Sequence, residues 1–211
     1  MIRFLALLLF SCPALAADTL LVFGDSLSAG FGIAVEKSWP ALLQKRLQQE
    51  KMPYKVVNAS ISGETSAGGR SRLAALLKQH KPKVMILALG ANDGLRGLPL
   101  DPLRDNLTAM AGEAKAAGAR VLIAGMELPP NYGMQYTRKF TATFVEVAKQ
   151  QKAGLLPFLL EPIARDESAF LPDQLHPTAE AQPKILDHVW KQLKPLLTSP
   201  GITPTPRPGR E

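Results

Sequence analysis

The chain has 211 residues, 46% of them apolar and 20% charged, which suits one domain with a substantial core and excludes an intrinsically disordered chain. Its formal charge of +7 does not indicate nucleic acid, because Lys and Arg are spread along the predicted helices among Glu and Asp, with no cluster of basic and aromatic side chains. The single cysteine, Cys12, excludes an internal disulfide and a cysteine-based metal site.

Met1-Ile2-Arg3, the apolar run Phe4 to Phe10 and Ala14-Leu15-Ala16 together form the basic region, short apolar region and A-x-A site of a secretory signal. Residues 1–16 are therefore read as a signal peptide and the protein as periplasmic or secreted. A bilayer span of roughly 20 residues does not fit this run. The stretch before Cys12 is also faintly like a lipoprotein cleavage site, against which stand the bulk of Phe10 and the shortness of the leader.

Leu20 to Phe23 is a short unbroken apolar run, the pattern of a strand buried on both faces, and Gly24-Asp25-Ser26 follows it directly. Trp39 to Glu50 repeats apolar residues at helical spacing, with Leu42, Leu43 and Leu47 on one face. Strands are then expected at Lys55 to Asn58, Lys83 to Leu89, Arg120 to Ala124 and Leu155 to Leu159. Helices are expected at Ser66 to His80, Leu103 to Ala117 with Gly118 as C-cap, Tyr136 to Lys152 and Ala179 to Leu197. Five strands alternating with crossover helices predict an α/β fold, a three-layer sandwich with a five-stranded parallel sheet of flavodoxin-like type. The domain should run over 17–198. From Ser199 onward repeated prolines remove donors and block helix, so 199–211 is expected to be a disordered tail.

Polar residues interrupt this pattern at four places: Ser26 after strand one, Asn58 to Thr65 after strand two, Gly90 to Gly94 after strand three, and Asp173 to His176 beyond strand five. All four fall at the carboxyl edge, where open α/β sheets place their ligand crevice. Taken singly, each has a plainer explanation. Ser26 could cap a helix, Asn58, Gly63 and Asn92-Asp93 could be turn residues, and Asp173 with His176 could open a helix with Pro177 at N1. Their joint placement favours a site. His80 beside Lys78 and Lys81, and His188 beside Trp190, do not share it and are read as structural or surface residues.

Gly24-Asp25-Ser26-Leu27-Ser28, Gly63, Gly90-Ala91-Asn92-Asp93 and Asp173-Gln174-Leu175-His176 occur in the order of the SGNH, or GDSL, hydrolases, and the chain resembles that family over nearly all of the expected domain. The resemblance implies a Ser26-His176-Asp173 triad, in which Ser26 attacks an acyl carbonyl, His176 shuttles its proton and Asp173 holds the imidazole tautomer. It implies an oxyanion hole made by the Ser26 and Gly63 N–H groups and the Asn92 amide, and no cofactor or metal. The substrates implied are acyl esters, thioesters and lysophospholipids.

Two unusually apolar loops at the same edge, Leu95 to Leu100 and Leu128 to Gly133, either pack into the core or wall an acyl groove. The resemblance favours the groove, with Leu95, Leu98, Leu100, Leu128 and Tyr132 as its candidate residues. A carbohydrate acetyl esterase and a catalytically silent lipid or peptidoglycan binder are the alternatives. The first is disfavoured by the scarcity of aromatics, the second by the presence of every catalytic residue type. The G-x-S-x-G elbow, a Walker lysine, H-E-x-x-H and a full dinucleotide fingerprint are all missing. The expected partner is a small ester or lysophospholipid, with no nucleic acid, at most transient contact with lipid headgroups, and a monomeric state.

Overall fold

A computed structural model describes residues 17–198. The proposed leader with Cys12 and the proline-rich tail lie outside the described residues. Five strands, β1 (Asp18–Gly24), β2 (Tyr54–Asn58), β3 (Val84–Ala88), β4 (Arg120–Ala124) and β5 (Gly154–Leu156), form one sheet in the order β2-β1-β3-β4-β5, parallel throughout. The expected α/β class and sheet are thus observed.

The central strands have no solvent face. Leu20 to Phe23 and all five residues of β3 are fully buried, which is why they read as continuous apolar runs with no alternation. Each such side chain contributes about 1.5–3 kcal/mol on burial.

Helices α1 (Ser26–Ala29), α2 (Trp39–Gln49), α3 (Ser66–His80), α4 (Ala91–Leu95), α5 (Leu100–Ala116), α6 (Met134–Gln151) and α7 (Gln182–Thr198) complete the fold. α2 packs against α7 on one side of the sheet, while α5 packs between α3 and α6 on the other. The three layers follow from right-handed crossovers between parallel strands. No helix among the described residues is long and apolar enough to cross a membrane.

Several boundaries differ from expectation, each for a local reason. β5 stops at Leu156, not Leu159, because Pro157 has no N–H for the ladder; a Cβ on Gly125 would lie 2.1 Å from the Pro157 carbonyl oxygen, so only glycine lets β4 leave the sheet there. The fifth helix begins at Leu100, three residues early, with Pro99 in extended backbone at its N-cap. The last begins at Gln182, three residues later than the periodicity implied, after a turn from Thr178. The short helices α1 and α4 were not anticipated. They sit at the two strand ends that carry Ser26 and Asn92.

Candidate active site

β1 ends in a tight turn. A Cβ on Gly24 would stand 2.9 Å from Ser28 Oγ and 3.0 Å from the Ala88 carbonyl oxygen, so the chain can pass β3 this closely only with glycine. Asp25 then caps α1, its Oδ1 accepting the Leu27 N–H at 3.0 Å. Ser26 is the first residue of the helix, and the cap is made by its neighbour, so the Ser26 hydroxyl is not used for capping. Asp25 is fully buried, and burial pushes its carboxyl up to about 7 despite the Leu27 N–H that stabilises the carboxylate.

The Ser26 hydroxyl meets an imidazole instead. His176 Nε2 lies 2.9 Å from Ser26 Oγ, and His176 Nδ1 lies 2.7 Å from Asp173 Oδ2, although 150 residues separate the serine from the histidine. Asp173 and His176 share one turn of chain. Gln174 between them takes a left-handed conformation, with φ at 55°, and Asp173 Oδ1 accepts the N–H groups of Leu175 at 2.9 Å and His176 at 3.0 Å. Those bonds, the His176 N–H foremost, hold the Asp173 carboxyl down at about 2, below the ordinary carboxylate range. Asp173 is therefore an anion across the range in which an imidazole titrates. The Phe31 ring packs against His176 with centroids 4.4 Å apart, the two rings tilted by 38°.

Two further segments close around the serine. Ile61 donates its N–H to the Gly24 carbonyl oxygen at 3.1 Å, which brings the β2–α3 loop to the end of β1. In that loop Gly63 has φ at 78°, a Cβ there would touch nothing within 4 Å, and the Arg96 guanidinium donates to its carbonyl oxygen at 3.0 Å. Its open side faces the cavity described below. Asn92 sits on α4, where its Nδ2 donates to the Glu64 carbonyl oxygen at 3.0 Å and lies 3.5 Å from Asp25 Oδ2. The next residue, buried Asp93, accepts from the Ser66 backbone N–H at 2.8 Å and the Ser66 hydroxyl at 2.6 Å, and Asn106 Nδ2 donates to that hydroxyl at 3.1 Å. This bridge ties α4 to the start of α3, so Gly63 and Asn92 are held in register by one buried carboxylate.

A cavity of about 620 Å³ opens beside the serine. Ser26, Gly63, Asn92 and His176 line it, and the rest of its wall is mostly apolar, including Leu95, Leu128, Phe158, Leu160 and Phe170. Of the residues assigned to the groove from sequence, Leu95 and Leu128 are in the lining and Leu98, Leu100 and Tyr132 are not. Leu98 is 38% exposed, Leu100 packs half-buried against the core at the start of α5, and the Tyr132 hydroxyl braces the loop by donating to the Leu95 carbonyl oxygen at 3.0 Å. Asn58 serves a turn, with its Nδ2 donating to the Ser28 carbonyl oxygen at 2.8 Å and its Oδ1 accepting the Ser60 N–H at 3.2 Å. His188 lies 3.0 Å from the Phe158 carbonyl oxygen and 3.3 Å from Glu161, a structural bridge from α7.

Sequence reasoning missed Asp25 as the cap, the Asp93–Ser66 bridge, Arg96, and the wall from Phe158 to Phe170. An aspartate one residue before a helix start is a readable N-cap signal. The wall residues come from an irregular segment with no periodicity to mark them.

Attack on a carbonyl is eased where negative charge on oxygen meets donors, and Asn92 lies in the cavity lining with its amide directed to the Glu64 carbonyl oxygen and towards Asp25. Asn92→Ala is expected to lower kcat by about two to three orders of magnitude with KM nearly unchanged. Steady-state kinetics on a nitrophenyl ester check it, and an unchanged kcat would remove Asn92 from the reaction.

Residues 22–182 match the model of the GDSL-like Lipase/Acylhydrolase family. The chain is 50% identical over 199 residues to Esterase TesA of Pseudomonas aeruginosa, covering 91% of this chain and 99% of that one. It is 44% identical over 194 residues to Thioesterase 1/protease 1/lysophospholipase L1 of Escherichia coli K12, covering 92% of each. A crystal structure titled TesA superposes with a TM-score of 0.83 at 50% identity, over 85% of this chain and 99% of that one.

Proposed function

The chain belongs to the GDSL-like lipase/acylhydrolase family and is an ester-hydrolysing serine hydrolase, and from that premise we propose that Ser26, His176 and Asp173 are its catalytic triad. Ser26 Oγ attacks the acyl carbonyl while His176 Nε2 takes its proton. His176 then gives that proton to the departing alcohol or thiol, and water repeats the sequence on the acyl-enzyme. Asp173, an anion bonded to Nδ1, keeps the proton on that nitrogen so that Nε2 can accept, and it balances the imidazolium when the proton arrives. The Ser26 and Gly63 N–H groups and the Asn92 amide receive the oxyanion. The observation that carries this reading is the unbroken path from Ser26 Oγ through both ring nitrogens to Asp173 Oδ2, opening onto an apolar cavity.

The substrates proposed are acyl esters, thioesters and lysophospholipids, in keeping with the names of the relatives and the apolar cavity wall. The same wall favours a hydrocarbon chain over a sugar. Export is proposed on the leader pattern of residues 1–16.

Chain-length selectivity separates wall from bystander. Leu128→Ala should lower kcat/KM for long-chain esters about tenfold, the worth of one filled side-chain site, and leave acetyl esters nearly unaffected. Leu98→Ala, outside the lining, should show no chain-length dependence. Nitrophenyl esters from acetyl to palmitoyl, with melting temperatures alongside, make the comparison. Equal losses at every length for Leu128→Ala would mean that the loop had moved and would take the acyl chain off this wall.

A further inference from the structure

The protein is basic overall, yet its active edge is not. The connection from Leu156 to Gln182 carries Glu161, Asp166, Glu167, Asp173 and Glu180 against the single cation Arg165. The turns at the opposite, amino end of the sheet carry Lys51, Lys81, Lys83 and Lys152 against Asp18, the first residue of β1, and Glu50, which is paired to Lys194. Charge is therefore segregated along the strand direction, with the negative end at the cavity.

The segregation continues into the cavity. Glu127, in the loop after β4, and Glu167, beyond β5, are in its lining, and no lysine or arginine is. Both glutamates are exposed, which puts them at the opening, whereas Met126 is buried within. Neither takes part in an ion pair among the described residues. The nearby ionic groups are already engaged, Glu64 with Arg72 and Arg96 with the Gly63 carbonyl oxygen. Arg96, held at the Gly63 carbonyl oxygen, is one cation beside the lining against the two carboxylates Glu127 and Glu167, so beside a low-dielectric wall the balance over the serine is negative.

We propose that this mouth selects substrates by charge: Glu127 and Glu167 favour acyl esters and thioesters bearing an amine or quaternary ammonium group and disfavour anionic ones. The proposal rests on the esterase reading above and adds the class of substrate to it. The chemistry is unchanged by it, since the acyl C–O or C–S bond breaks, water supplies the hydroxyl of the acid, and the remaining proton goes to the leaving group. A carboxylate-lined mouth also repels the fatty-acid anion that hydrolysis releases.

The test uses two small thioesters with one acyl chain, hexanoylthiocholine and S-hexanoyl-3-mercaptopropionate, on the wild type, Glu127→Gln, Glu167→Gln and the double variant. The quantity read is the ratio of kcat/KM for the cation to that for the anion, with the variant-to-wild-type change cancelling the different reactivity of the two thiols. Each substitution should lower that ratio about two- to fivefold, as for solvent-accessible charge pairs, and the double variant about tenfold. Raising salt to molar strength should lower the wild-type ratio in the same direction and change the double variant far less. A ratio that is unchanged or raised in the double variant, with its melting temperature preserved, overturns the charge assignment while leaving the esterase intact. Failure of the wild type to cleave both thioesters and nitrophenyl esters would overturn the esterase reading itself.

Discussion

Ser26→Ala should abolish ester hydrolysis, with kcat falling by about five to six orders of magnitude, while the melting temperature stays within a degree or two of wild type. The two halves of this expectation have separate origins. The hydroxyl is the nucleophile in the proposed mechanism, and among the described residues it is the hydroxyl bonded to His176 Nε2, so the loss is not shared out. Stability is spared because Ser26 is the first residue of α1 and not its cap; Asp25 keeps its bond to the Leu27 N–H, and alanine suits a first-turn position. The measurement is hydrolysis of nitrophenyl butyrate beside a thermal melt. Retained turnover, or inactivity accompanied by a collapse of cooperative unfolding, would each break the assignment of Ser26 as a nucleophile with no structural duty.

That separation also explains why the site was readable before the fold was known. Strand ends are marked by an abrupt change from apolar to polar residues, as at Phe23–Gly24 and Leu89–Gly90, and a parallel sheet brings every such end to one edge. The segments that carry Ser26, Gly63 and Asn92 follow such strand ends, while the choice of these residues, and of His176 far beyond β5, came with the family resemblance. The side chains that hold them have no such mark. Asp93 bonds to Ser66 across 27 residues, and Arg96 reaches the Gly63 carbonyl oxygen across 33, and neither distance follows from any local periodicity.

The acyl wall was the least legible part. Of the two apolar loops, Leu95 and Leu128 reach the cavity, whereas Leu100 stands half-buried at the start of α5 and Leu98, outside the lining, is 38% exposed. Apolar content in a loop says that the side chains leave water, and it does not say which surface they join. Phe158, Leu160 and Phe170 line the cavity from a segment that Pro157 takes out of the sheet.

Asp173→Asn is expected to lower kcat by about four orders of magnitude at neutral pH while leaving the loop in place. The asparagine Oδ1 can keep accepting the Leu175 and His176 N–H groups, so the turn that presents the histidine survives. What changes is the group facing His176 Nδ1. An amide nitrogen there donates where Oδ2 accepted, so the ring takes the tautomer with its proton on Nε2. That nitrogen then points a proton at Ser26 Oγ and cannot remove one. The depressed carboxyl, at about 2, adds a pH signature. In the wild type Asp173 should add no step of its own to the pH profile in the ordinary carboxylate range, because that group is already ionised there. In the variant, activity should rise with hydroxide, which substitutes for the missing base. Pre-steady-state acylation and the pH profile of kcat/KM measure both effects. An Asp173→Asn enzyme within tenfold of wild type at pH 7 would show that the carboxylate serves the turn and not the imidazole.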